Sequence, residues 1–275
     1  MPRFAANLSM MFTEMPFLER FQAAADAGFA AVEYLFPYDH PAEEVAAARR
    51  DAGVEQVLFN APAGDWAAGE RGLACLPDRQ EEFDRGLETA LRYAEALDCP
   101  RIHVMAGIPR PDGELDAAGR AAAREVHVRR VRQAADAAAA VGRRVLIEPI
   151  NPVDMPGYLL DSVHEGRDVL EQIDHPAVGL QLDLYHAQIT DGDLTRLIRS
   201  AADVVEHVQI ASVPDRHEPD GGELDLDHVL GVLDDVGYAG WVGCEYRPAG
   251  ETRAGLGWFH RRTGSGRADR RGSGA

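Results

Sequence analysis

Eight short apolar runs, each followed by an amphipathic, alanine-rich segment, set the strongest limit on what this chain can fold into. The runs are RFAANLS (3–9), AAVEYL (30–35), VEQVLFN (54–60), RIHVMAG (101–107), RRVLIE (143–148), AVGLQLD (177–183), VEHVQIA (205–211) and WVGCE (241–245). Segments between them, such as FLERFQAAADAG and DHVLGVLDDVG, close on glycine as helix C-termini often do. Strict alternation of strand and helix implies parallel pairing. Eight such units predict an α/β fold, a single-domain (β/α)8 TIM barrel over residues 1–258, although alternation alone also permits a doubly wound sheet. Beyond Trp258 the composition turns abruptly to Arg, Gly and Ser, and residues 259–275 read as a disordered tail. The arginine-rich stretch REVHVRRVRQ reads as a solvated outer helix face.

The run RRVLIEPIN raises a chemical question, because a strand that should be buried ends on the carboxylate of Glu148. An unpaired charge there would cost several kcal/mol unless a cation meets it or it neutralises. In a (β/α)8 barrel the C-terminal strand ends converge on the active site. The last polar residues of the four late strands are Glu148, Asp183, Gln209 and Glu245, all oxygen donors. Four converging oxygen ligands, three of them anionic, suit a hard divalent cation, Mg²⁺ or Mn²⁺. Strand alternation agrees: an inward Glu148 turns Val145 and Ile147 toward the helices, and an inward Glu245 does the same for Val242 and Cys244. The same parity turns Gln181 and His207 inward, beneath the expected ligands, as hydrogen-bonded residues that orient them. Asn7, Glu33, Asn60, His103 and His186 are expected near the same rim.

Composition removes several alternatives. All 28 basic residues are arginine, which excludes chemistry that depends on a lysine amine, such as Schiff-base aldolases, pyridoxal-phosphate enzymes and P-loop NTPases. A formal charge of −18 disfavours nucleic-acid and anionic membrane surfaces. No apolar run approaches the roughly 18 residues of a spanning helix. With no secretion signal and three cysteines that form no CxxC pair, the expected location is cytoplasmic. A homo-oligomer is compatible with the sequence.

The segments NLSMMF, FPYD, AGDWAAGERG, IEPIN, LDLYHAQ, HVQIA followed by PDRHEPDGGELD, and GYAGWVGCEY together resemble the hydroxypyruvate isomerase family, within the xylose-isomerase-like barrels. The resemblance implies a metal-dependent enzyme, an intramolecular oxidoreductase that interconverts hydroxypyruvate and tartronate semialdehyde or a related 2-oxo acid pair. It implies Glu148 and Glu245 as the acid/base carboxylates, with Asp183 and Gln209 completing the metal positions. The chemistry agrees: moving a carbonyl to the neighbouring carbon passes through an enediolate, which needs a cation and two proton-transferring groups. The small-molecule substrate, a 2-oxo acid or hydroxy-aldehyde, needs a cation for its carboxylate. With lysine absent, Arg71 and Arg216 are the candidates, and His186 and Asn60 are further substrate-binding candidates. Trp66 and Phe12 are expected to wall the site against water.

Alternatives on the same scaffold are a 2-oxo-tetronate isomerase, which differs by one hydroxymethyl group, and a ketose 3-epimerase, which needs no anion-binding arginine. An apurinic endonuclease would call for a histidine-rich zinc cluster and a basic groove, which the oxygen donors and the charge oppose. A non-catalytic binding protein would have little use for two carboxylates on one cation.

Overall fold

The computed structural model describes residues 2–110 and 115–264. Its strands are β1 (Arg3–Asn7), β2 (Ala31–Tyr34), β3 (Glu55–Asn60), β4 (Arg101–His103), β5 (Arg144–Ile147), β6 (Val178–Asp183), β7 (Val205–Ile210) and β8 (Trp241–Cys244). They pair in parallel, in sequence order, and β8 returns to β1 to close the barrel. Closure rules out the doubly wound alternative. The larger helices between them are α1 (Arg20–Asp26), α2 (Ala42–Ala52), α3 (Gln80–Ala96), α4 (Ala117–Ala140), α5 (Val163–Ile173), α6 (Leu184–Thr190), α7 (Leu194–Ala201) and α8 (Leu226–Asp235). Two short helices, α9 (Thr252–Gly255) and α10 (Gly257–Thr263), follow β8.

Strand alternation divides the core in two. Residues facing the helices, among them Val145, Ile147, Val208, Val242 and Cys244, belong to one large apolar cluster. Inside the barrel a small cluster of Ala5, Ala31, Val57, Leu58, Leu146 and Trp241 fills the N-terminal half. Above that plug the interior turns polar, which places the chemistry at the C-terminal mouth.

Three sequence expectations need correction. The run 101–107 is a strand only through His103; beyond it the chain bends against the loop after β3, where a Cβ on Gly72 would lie 2.5 Å from the Met105 carbonyl oxygen. Only glycine allows that approach, and φ +125 there favours it further. The helix face around REVHVRRVRQ is not wholly solvated: Arg130 is fully buried and donates to the carbonyls of Leu73 and Pro77. A guanidinium carrying several donors can tie a helix to a loop in this way. Finally, the boundary expected after Trp258 falls within α10. Phe259 is buried and stacks on Phe29 with centroids 4.1 Å apart, so apolar packing carries the domain past Trp258. The remainder of the expected disordered tail, from residue 265, lies outside the described residues.

Candidate active site

The polar upper interior opens into a cavity of about 790 Å³, lined by Asn60, Trp66, Arg71, Glu148, Gln181, Tyr185, His186, Arg216 and Glu245 among others. A smaller depression of about 240 Å³ at the strand starts, around Arg101, Glu206 and Tyr238, holds none of these residues.

Asp183 ends β6 and caps α6. Its Oδ1 accepts from the Tyr185 backbone N–H at 2.9 Å, which leaves Oδ2 for another partner. That oxygen meets Arg216 Nη2 at 3.1 Å, and the same nitrogen reaches Glu245 Oε1 at 2.9 Å. Arg216 comes from the loop after β7 and lies with its guanidinium 4.7 Å from the Tyr185 ring centroid. The structure therefore places this expected carboxylate anchor as the shared counter-ion of two site carboxylates.

Glu148 is the least satisfied of the group. Its Oε1 is buried without a hydrogen-bond partner among the described residues, and Oε2 lies 3.5 Å from His103 Nδ1. Burial, then the charges of Glu245 and Asp183, push its pKa well above the carboxylate range. Burial raises Glu245 to about 8 against the pull of Arg216, and raises Asp183 to about 6 against the same guanidinium. Burial pulls the pKa of Arg216 down, but Glu245, Asp183 and Glu148 together hold it above the usual value. His103 falls to about 3 through burial and the neighbouring His127 and His207, so it is neutral beside Glu148.

Below lies the layer anticipated from parity. Gln181 Nε2 donates to Gln209 Oε1 at 2.6 Å, and His207 Nε2 is 2.6 Å from Glu33 Oε2. Gln209 Nε2 donates to Glu33 Oε1 at 2.7 Å and also to Glu245 Oε2. The Gln209 amide oxygen is thus turned to Gln181, and its nitrogen, not its oxygen, faces the carboxylates. The reason is Glu33: with Oε2 held by His207, its Oε1 accepts both from Gln209 and from Asn7 Nδ2 at 3.0 Å.

Arg71 lines the cavity with its guanidinium 4.0 Å above the Trp66 ring, and Phe36 flanks Trp66 at 5.1 Å. Its Nη1 donates to the carbonyls of Trp66 and Glu70. The Glu70 carboxylate is taken by Arg79 at 2.6 Å, which leaves Arg71 without a carboxylate partner among the described residues. Phe12 is not part of the wall. It is buried in the outer core against Phe29, while Trp66 does line the mouth. A residue the sequence reading passed over, Asn151 of IEPIN, is fully buried at 2.6 Å from His186 Nδ1.

Metal-binding capacity follows from the donors. One ligand atom each from Glu148, Asp183 and His186 lie within 4.8 Å of one another, so this buried group could hold a metal ion. The orphaned Glu148 oxygen, and three carboxylates facing one guanidinium, fit a further positive charge.

Residues 21–262 match the family described as xylose isomerase-like TIM barrel. The chain belongs to that family. A 2-oxo-tetronate isomerase of Cupriavidus necator is 50% identical, covering 94% of this chain and 98% of the relative. The hydroxypyruvate isomerase of Escherichia coli is 42% identical over 94% of this chain and 98% of its own length. A crystal structure from Brucella melitensis, described as an AP endonuclease of family 2, is 54% identical with a TM-score of 0.91, covering 95% and 99% of the two chains. As a member of this xylose isomerase-like group with close isomerase relatives, the protein is an isomerase acting on a small molecule. Among the described residues no helix is long and apolar enough to cross a membrane.

Proposed function

We propose that this xylose isomerase-like barrel moves a carbonyl between C2 and C3 of a short 2-oxo acid that carries a hydroxyl on C3. The observation that carries the reading is the meeting in one cavity of two buried glutamates, Glu148 and Glu245, with an arginine, Arg71, that no carboxylate among the described residues neutralises. One glutamate removes the C3 proton and the other returns a proton to C2, the enediolate lying between them, while the proton of the C3 hydroxyl passes to the oxygen on C2. Arg71 holds the substrate carboxylate, and Trp66 beneath it excludes water.

Glu148, Asp183 and Glu245 would hold Mg²⁺ or Mn²⁺, with Gln209 adding its oxygen only if its amide turns away from Gln181. When bound, the cation supplies positive charge for the two substrate oxygens that gain electron density. Gln181, Glu33 and His207 then act beneath the ligands by holding Gln209 and Asn7 in place.

The favoured substrate is 2-oxo-tetronate, on the strength of the Cupriavidus necator relative and a cavity roomy for a three-carbon acid. Hydroxypyruvate, giving tartronate semialdehyde, is the second reading, supported by the Escherichia coli relative. A nuclease role is disfavoured by the overall charge of −18 and by a candidate metal group with one histidine, His186, beside two carboxylates. The test is NMR in D2O with Mg²⁺ or Mn²⁺, following exchange of carbon-bound hydrogen in 2-oxo-tetronate, hydroxypyruvate and a neutral ketohexose. Exchange should be fastest with the four-carbon acid and stop on chelation. Exchange with the ketohexose alone, or full activity after exhaustive chelation, would overturn the proposal.

A further inference from the structure

The hydrogen bonds around Asn151 decide what His186 can do. Asn151 lies in the loop after β5, fully buried, and its Oδ1 accepts from the backbone N–H groups of Val153 at 3.0 Å and Asp154 at 2.8 Å. Only the oxygen of an amide accepts, so these two donors fix which way the side chain faces. Its Nδ2 consequently points at Asp154 Oδ2, 3.3 Å away, and at His186 Nδ1, 2.6 Å away. The Asn151 backbone N–H also approaches His186 Nδ1, at 3.5 Å. Both groups are donors, so Nδ1 must present its lone pair to them. A neutral imidazole carries one proton on one nitrogen, which then sits on Nε2.

The neighbours of Nε2 are consistent with a proton there. Asp183 Oδ2, an acceptor, lies 3.6 Å away. Arg216 Nη2 lies 3.3 Å away, but its two hydrogens go to Asp183 and Glu245, so it needs no lone pair from His186. The His186 Nε2–H therefore lines the cavity with Asp183 Oδ2, 3.6 Å away and beyond hydrogen-bond distance, as its nearest acceptor among the described residues. An oxygen entering there accepts from His186 directly, and a fixed donor aimed at an oxygen that gains negative charge favours the enediolate over the ground state.

We infer that Asn151 is a positioning residue that locks His186 as the Nε2–H tautomer, making His186 a hydrogen-bond donor to a substrate oxygen and removing it from the metal ligands. This rests on the isomerase reading for the identity of the oxygen, but the tautomer itself does not. His186 belongs, with Glu148 and Asp183, to a group of donor atoms compact enough to hold a metal, so the inference separates two uses of the same ring.

The test is ¹⁵N NMR of histidine-labelled protein, with His186→Gln used to assign the signal among the ten histidines. Wild-type His186 should show a protonated Nε2 and an unprotonated Nδ1 in metal-free protein, and adding Zn²⁺ should leave that proton in place. Asn151→Asp keeps an oxygen for Val153 and Asp154 but replaces the donor with an acceptor. It should invert the pattern to Nδ1–H, allow Zn²⁺ to take Nε2, and lower kcat on the 2-oxo acid by about 10² with KM little changed. A wild-type ring protonated on Nδ1, or one whose Nε2 proton Zn²⁺ displaces, overturns the inference whether or not Asn151→Asp folds. If instead the tautomer is as stated and no 2-oxo acid turns over, the functional reading fails and the role of Asn151 stands.

Discussion

His207 reaches across the barrel interior to Glu33, its Nε2 lying 2.6 Å from Oε2, and both side chains are buried. Glu33 in turn accepts from Asn7 and Gln209, so one carboxylate gathers donors from β1, β7 and the residue below Gln209. His207→Leu would leave Oε2 without that donor, at a cost of about 1 to 3 kcal/mol. Metal affinity should fall roughly 10-fold or more while circular dichroism reports an unchanged fold. Gly243→Ala should do the same from another direction, because its Cβ would lie 2.3 Å from Glu33 Oε2. Tight metal binding by both variants, measured by titration into chelated protein, would remove Glu33 from the support of the site.

Glu148 and Glu245 directly follow β5 and β8 and line the same cavity, but in different company. Glu148 has an orphaned oxygen, whereas Glu245 is held by Arg216 and Gln209. Glu148→Gln and Glu245→Gln each keep an oxygen near the cation and lose proton transfer. The rate of hydrogen exchange in D2O should drop by at least about 10² in each. Near wild-type exchange in either variant removes that residue from the chemistry.

Arg71 is held by carbonyls and by the Trp66 ring, with its charge left over for a ligand. Arg71→Ala should raise KM for the 2-oxo acid by roughly 10- to 150-fold, the equivalent of a charge-assisted bond of about 1.5 to 3 kcal/mol. A neutral ketose should bind the variant and the wild type alike, if it binds at all. Equal losses for both ligands would mean that the substitution disturbs the Trp66 wall and that another group takes the carboxylate.

Residues whose position follows from strand register were legible in the sequence. Glu148, Asp183 and Glu245 reach the mouth because each closes a strand of a barrel, and Gln181 and His207 point inward because alternation leaves them no other choice. Residues whose role depends on a partner distant in the chain were not. Gln209 turns its nitrogen to the carboxylates because Glu33, 176 residues away, accepts it. Arg130 is buried because carbonyls of another loop are there to receive it, and Phe259 because Phe29 offers a ring. Asn151 lay inside a motif already singled out, but its hold on His186 needs a contact across 35 residues that no periodicity reveals.

Arg216 offers the last test, and one that needs no substrate. Its guanidinium is the cation shared by Asp183 and Glu245, in a side chain only 14% exposed. Arg216→Ala leaves two buried carboxylates facing each other and Glu148 without that charge, a loss typically of about 3 to 5 kcal/mol. Because Arg216 already sits at φ +55, alanine introduces little new backbone strain, and the effect reads on electrostatics. In chelator the variant should melt lower than wild type by on the order of 10 °C, given the roughly 2 to 4 °C per kcal/mol expected for chains a little shorter than this. Mg²⁺ or Mn²⁺ replaces the missing positive charge, so it should raise the melting temperature of the variant more than that of the wild type. Equal melting in chelator, or an equal response to metal in the two proteins, would show that Asp183 and Glu245 do not depend on Arg216 for their charge balance.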